Sequence, residues 1–168
     1  MVGSIICGVD ESASAQGAAL VARRLSRNLG LRLVFVRVVE AGSSSEKLGG
    51  AAESLERLAS ASPTVDSGSQ CLVEVGHPAD RLVAAAEDAN ASMIVVGSHG
   101  PRSSLLGSVS AEVSRRAPCP VVVVPPGAEA RLNQGRTIPA DGFRAVHGGL
   151  AVSNVGGIVR FDLGSDHT

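Results

Sequence analysis

Five short apolar runs constrain this chain more than any other feature: SIICGVD, LRLVFVRVVE, QCLVEVG, SMIVVG and PVVVVPP. They are rich in β-branched residues and bounded by Gly, Pro, Asp or Asn, which is how strands read. The segments between them follow another period. In SASAQGAALVARRLSRNLG, the apolar positions Ala15, Ala18, Ala19, Ala22, Leu25 and Leu29 recur at helical spacing. Gly30 stands where a helix C-cap glycine belongs. AGSSSEKLGG reads as loop and AAESLERLAS as a short helix. Pro78 opens a further helix through ADRLVAAAEDAN, and SVSAEVSRRA forms the last. Strands alternating with helices imply parallel pairing and right-handed crossovers. The expected fold class is therefore α/β, a doubly wound five-stranded parallel sheet with helices on both faces.

Composition agrees and narrows the function. Hydrophobic residues make up 44% of the 168 but aromatics only 2%, with three Phe and no Trp or Tyr. The core must be built from Val, Leu, Ile and Ala, as in parallel sheets buried on both faces. Scarce aromatics argue against single-stranded nucleic acid, which is commonly held on stacking platforms. A formal net charge of −1 predicts no broad attraction to nucleic acid or to an anionic membrane. Lys47 is the sole lysine, which excludes a mechanism needing a lysine elsewhere. The N-terminus lacks a basic start and meets Asp10 too soon for a signal peptide. No apolar run approaches the roughly 18 residues of a membrane span. Cys7, Cys71 and Cys119 are odd in number and lack CxxC spacing, so they read as small core residues in a reducing cytoplasm.

Residues 1–126 form the expected domain. Residues 127–168 hold eight of the 20 glycines and two of the three Phe, and their alternation is short and interrupted. This extension reads either as a hairpin around Val155-Gly156-Gly157 or as a disordered tail.

In a doubly wound sheet, ligands bind outside the carboxyl ends of the strands, where the strand order reverses. Asp10 leaves the first strand there, and Gly97, Ser98, His99 and Gly100 leave the fourth. Gly97 and Gly100 would let backbone N–H groups approach a ligand closely, and they equally fit as turn glycines. Gly107 and Ser108 precede a helix, whose N-terminus is a natural anion site. The Ser108 hydroxyl can donate to an anion or cap the helix. Arg102 can supply charge to a phosphate, or be solvated like most loop arginines. Asp10 alone also suits a turn or cap, and His77 and His99 a solvated loop. Ser98 and His99 are adjacent and do not face one another as a catalytic pair. The stretch is no Walker loop, since no Lys follows the glycines, and the dinucleotide fingerprint belongs after the first strand, where VDESAS stands. VGSHG does not fit the nucleophile elbow.

Taken together, a strand ending in Val-Asp, VGHP before the third helix, and VVGSHG…LLGSVSAEVSRRAPCPVVVVP resemble the universal stress protein family over roughly residues 2 to 126. The resemblance implies a Rossmann-like sheet and the ATP-binding pattern G-x2-G-x9-G-(S/T). It implies that Gly97, Gly100, Gly107 and Ser108 meet the phosphates and ribose, with Val109 adding a backbone N–H. Ser98, His99 and Arg102 lie in the same loop and join the candidate set. Asp10 would face the adenine or ribose side or an associated metal, and Val38, ending the second strand, would meet adenine through its backbone. The implied ligand is ATP, or AMP or ADP, with Mg²⁺. The implied assembly is a homodimer through the last strand, Val121 to Val124, with no nucleic-acid or membrane partner.

Between Gly100 and Gly107 stand only the six residues PRSSLL, fewer than the pattern has. The shortfall removes about 10 Å of reach, and Pro101 removes a donor. Two functions follow. One is an ATP-binding, cytoplasmic, nucleotide-dependent stress-response regulator with at most slow hydrolysis. The other is a family member that has lost ATP and acts as a dimeric protein-interaction module. An enzyme of the same α/β class would need further catalytic residues, and residues 1–126 offer none.

Overall fold

The computed structural model describes residues 3–60, 69–98, 107–128 and the backbone of 158–160. The chain forms β1 (Ser4–Gly8), α1 (Ala13–Leu29), β2 (Arg32–Val39), α2 (Ser45–Ser60), β3 (Gln70–Val75), α3 (Pro78–Asp88), β4 (Met93–Gly97), α4 (Ser108–Arg116), β5 (Val121–Val124) and β6 (Ile158–Arg160). All strand pairs are parallel, in the order β3-β2-β1-β4-β5-β6. The five expected strands are all present, and β6 adds a sixth.

Side chains alternate along β1, β2, β4 and β5, so each of these strands feeds two cores. Ile5, Cys7, Leu33, Phe35, Met93, Val95, Val122 and Val124 pack under α1 and Leu55 of α2. Ile6, Val34, Val36, Ile94, Val96, Val121 and Val123 pack under α3 and Val113 of α4. Helices therefore cover both faces, and the runs of β1, β2, β4 and β5 are mostly buried, while β3 at the outer side of the sheet is not.

Local signals set the helix ends. The Ser12 hydroxyl accepts from the Ala15 N–H at 3.2 Å and caps α1. Gly30 closes α1 in the left-handed region at φ 64°, as its position predicts. Leu29, expected on the apolar face, is instead 40% exposed. Pro78 occupies the first turn of α3, where a missing N–H costs no bond.

One expectation changes. The loop expected over AGSSSEKLGG is helical from Ser45 onward. The Ser44 hydroxyl accepts from the Lys47 N–H at 3.3 Å and starts that turn, so Gly49 and Gly50 lie inside the helix rather than before it. The last strand of the family-like domain is not an edge. Val121, Val122 and Val123 pair with Ile158, Val159 and Arg160 of the chain's own extension, which adds a strand beyond β5. Val155-Gly156-Gly157, the expected hairpin turn, lies outside the described residues.

Candidate functional site

The strand order reverses between β1 and β4. The chain leaves β1 through α1 on one face and leaves β4 through α4 on the other. Their carboxyl ends therefore open a crevice at the switch point. Asp10, Ser98 and the helix beginning after Gly107 all belong to this end of the sheet.

A continuous set of contacts spans the crevice floor. Asp10 Oδ1 accepts the Ser12 N–H at 2.9 Å and also the Ser12 hydroxyl. Ser12 Oγ lies 3.0 Å from Ser14 Oγ. Ser14 in turn passes directly over Gly97: a Cβ on Gly97 would stand 2.8 Å from the Ser14 carbonyl carbon and oxygen. Gly97 is thus required by the crossing of α1 over the end of β4, whatever approaches from outside. Asp10 is exposed and orients the turn into α1 through one carboxylate oxygen.

Val38 lies inside β2, one residue short of its end, and pairs with Glu74 in register. Its backbone direction follows from its neighbours. Val36 C=O accepts the Val9 N–H on the β1 side, and Val39 C=O accepts the Gly76 N–H on the β3 side. Alternate residues face the same neighbour. Val38 therefore turns its N–H and C=O toward β1, beyond the last register pair of β1 with β2, Gly8 with Val36. That places main-chain groups of both polarities at the crevice wall.

On the β4 side, the Ser98 N–H still donates to Val124 C=O at 2.8 Å, so the chain leaves the ladder only after Ser98. His99, Gly100 and Arg102 lie outside the described residues. Gly107 is the N-cap of α4, at φ −61° and ψ 160°, and has no side chain to cover the helix end. The Ala111 N–H makes the i→i−4 bond to Gly107 C=O at 2.9 Å. The N–H groups of the preceding turn, Ser108 and Val109 among them, precede that bond and face out of the helix end. Ser108 is exposed, whereas Val109 packs its side chain on the core and can offer only its backbone.

Arg37 completes the charge at this end, and the sequence reading passed over it. Its guanidinium pairs with Glu11 at 2.7 Å, with the arginine side chain 16% exposed and the glutamate 81%. The available signal was a cation inside the apolar run LRLVFVRVVE.

Two other features lie apart from the crevice. His77, Asp80 and Glu112 place possible ligand atoms within 4.8 Å of one another between α3 and α4. Arg116 already donates to Asp80 at 2.5 Å and to Glu112 at 2.9 Å, and holds the Asp80 carboxyl below its usual range. The cluster is thus an ion-pair clamp between helices, with His77 at its edge. A cavity of about 350 Å³ opens between α3 and the outer part of the sheet, lined by Arg32, Val34, Leu72, Glu74, Arg81 and Asp88. It holds none of the residues singled out at the strand ends.

Comparison with known proteins supplies an independent line. The Universal stress protein family matches residues 1–125. A universal stress protein from Archaeoglobus fulgidus is similar at 25% identity and TM-score 0.65, over 74% of this chain and 99% of that one. A structure of the Archaeoglobus fulgidus universal stress protein in complex with dAMP is 25% identical, with TM-score 0.63, over 74% of this chain and 99% of that one. A universal stress protein in complex with cAMP is 26% identical, with TM-score 0.60, over 75% and 98% respectively. Comparison with curated proteins gave no significant match. Among the described residues, no helix is long and apolar enough to cross a membrane.

Proposed function

Given that the chain belongs to the universal stress protein family, we propose that it binds an adenine nucleotide in the crevice at the switch point and acts as a nucleotide-dependent stress-response regulator in the cytoplasm. One observation carries the reading: α4 starts at a glycine cap, so among the described residues no capping side chain occupies its outward N–H groups and positive dipole end, at the carboxyl-end side of the sheet. The relatives in complex with dAMP and cAMP support adenine as the base.

In this reading Gly107, Ser108 and Val109 hold phosphate, the last through its N–H. Val38 meets adenine through its main chain, with Ser98, His99, Gly100 and Arg102 closing the loop side. Asp10 faces the ribose or the metal. ATP is the proposed ligand, and AMP and ADP share its adenine, ribose and first phosphate. Mg²⁺ would be held mainly by phosphate oxygens and water, since it binds few protein carboxylates at such sites. Two acids that follow β1 are engaged, Asp10 by Ser12 and Glu11 by Arg37. Neither is poised as a base for water, so binding rather than turnover carries the signal.

The chain has no Trp or Tyr and is nearly transparent where most proteins absorb. Bound adenine would therefore dominate its ultraviolet spectrum. Equilibrium dialysis against ATP, ADP and AMP with Mg²⁺ should leave the adenine band with the protein. No retained band with any of the three nucleotides would leave the alternative function, a family member working through protein contacts alone.

A further inference from the structure

α3 covers only part of its face of the sheet. Ile6, Val34 and Val36 pack with Leu82, Ala85 and Ala86 of that helix. Gln70, Leu72 and Glu74 of β3 stand in register with Val34, Val36 and Val38, so they face the same side. Yet Leu72 is 37% exposed, against 1% for Val36 beside it. The uncovered strip is the cavity of about 350 Å³ between α3 and the outer strands, a volume in the range of small-molecule sites.

Its charged groups are placed at its two ends. On α3, Arg81, Ala84, Ala85 and Asp88 recur at helical spacing and line one stripe. Arg81 and Asp88 stand about 10 Å apart along the helix axis. Arg81 lies against the end of β3, where a Cβ on Gly76 would meet its Nε at 2.8 Å. At the far end the Ser4 hydroxyl donates to Ala89 C=O at 3.2 Å, and Ser4 pairs with Arg32. Arg81 therefore shares one end with Glu74, and Asp88 shares the other with Arg32. Aliphatic side chains, Val34 and Leu72 among them, form the middle. Among the described residues, no ion pair involves Arg32, Glu74, Arg81 or Asp88.

This arrangement selects its occupant by charge. The four groups sum to zero and no aromatic side chain lines the cavity, so neither a polyphosphate nor a purine finds a suitable partner there. A fatty acid would satisfy an arginine but cover the two carboxylates with its chain, at a desolvation cost. A zwitterion with an apolar middle satisfies both signs. The termini of an extended peptide of about three residues are some 10 Å apart, the spacing of Arg81 and Asp88. Its carboxylate meets Arg81 and its ammonium Asp88, both as charge-assisted pairs. The reverse direction meets Arg32 and Glu74 instead. The Gln70 amide, donor and acceptor at once, suits a peptide group.

We infer that this cavity binds a short zwitterionic peptide with small aliphatic side chains, held by its two charged termini. The inference stands apart from nucleotide binding, since the cavity and the crevice share no candidate residue.

The test is a calorimetric titration of the full chain with the tripeptide Ala-Leu-Ala, with and without saturating Mg-ATP. The expected result is binding in both conditions. The same peptide, acetylated at one end and amidated at the other, should bind about tenfold more weakly or worse. The double variant Arg32→Gln and Arg81→Gln should show a similar loss, and so should Glu74→Gln with Asp88→Asn. Thermal melts of both variants should match the wild type, because these side chains make no ion pair in the fold. No binding of the free tripeptide would overturn the proposal. So would equal affinity for the capped peptide, which would leave an apolar groove alone, or unchanged affinity in both variants. Displacement by Mg-ATP would place the peptide in the crevice and overturn the cavity as its site.

Discussion

The Cβ that Gly97 lacks would lie 2.8 Å from the backbone carbonyl of Ser14. This contact locks the first turn of α1 over the end of β4 and fixes the floor of the crevice. Gly97→Ala must push two backbone segments apart. We expect it to destabilise the fold by about 1–3 kcal/mol, the usual range for overpacking. Urea denaturation measures this directly, and a wild-type midpoint would show that the crossing is looser than described.

Ser12 serves the helix and the site together. It caps α1 and holds Asp10 Oδ1. Ser12→Ala should cost about 1 kcal/mol of stability through the lost cap. It should also weaken nucleotide binding, because the Asp10 carboxylate loses its hydroxyl donor. Ser12→Thr should restore both properties, and calorimetry with denaturant melts separates them.

The thiols should differ sharply in reactivity. Burial pushes Cys7 up to about 12, so its thiolate is scarce at neutral pH as well as inaccessible. Cys71 is exposed and Cys119 half-buried, and both are raised mainly by burial. A disulfide reagent at pH 8 should label Cys71 first, Cys119 more slowly, and Cys7 only after unfolding. Fast labelling of Cys7 in the native protein would contradict the packing of β1.

The clamp between α3 and α4 makes a prediction about acid. Arg116 hydrogen-bonds Asp80 and holds its carboxyl below the ordinary value. A carboxyl lowered in the folded state contributes stability above its unfolded pKa, and that contribution fades as pH falls through the folded value. Arg116→Ala should return the Asp80 titration toward the ordinary carboxylate range and flatten this part of the acid dependence. Carboxyl chemical shifts followed against pH report it, and an unmoved Asp80 would contradict the clamp.

How legible all this is in sequence depends on distance along the chain. The runs of β1, β2, β4 and β5 announce their strands because residues on both faces of each are buried, whereas β3, an outer strand, shows itself by its β-branched residues and by its pairing with β2. The start of α2 is faint because that helix buries only Ala51 and Leu55, and two glycines imitate a loop. β6 is two β-branched residues and an arginine among glycines, and only its pairing with Val121–Val123 makes it a strand. The candidate glycines divide in the same way. A glycine before a helix is a local signal, and Gly107 is indeed the cap of α4. The need for glycine at position 97 comes from Ser14, more than eighty residues earlier in the chain. The Arg37–Glu11 pair likewise joins residues that no local motif connects.

The measurement closest to the central claim is a titration of Mg-ATP into the wild-type chain and into Gly107→Asp, alongside their thermal melts. Gly107 has backbone angles open to any residue, and Asp is a favoured N-cap. The substitution should therefore keep or raise stability while setting a carboxylate where phosphate would bind. We predict binding in the wild type and at least a tenfold loss of affinity in the variant, a difference of about 1.4 kcal/mol or more, with the melting temperature unchanged or higher. Equal affinity in the two proteins, or no binding by the wild type, would contradict a phosphate site at the start of α4.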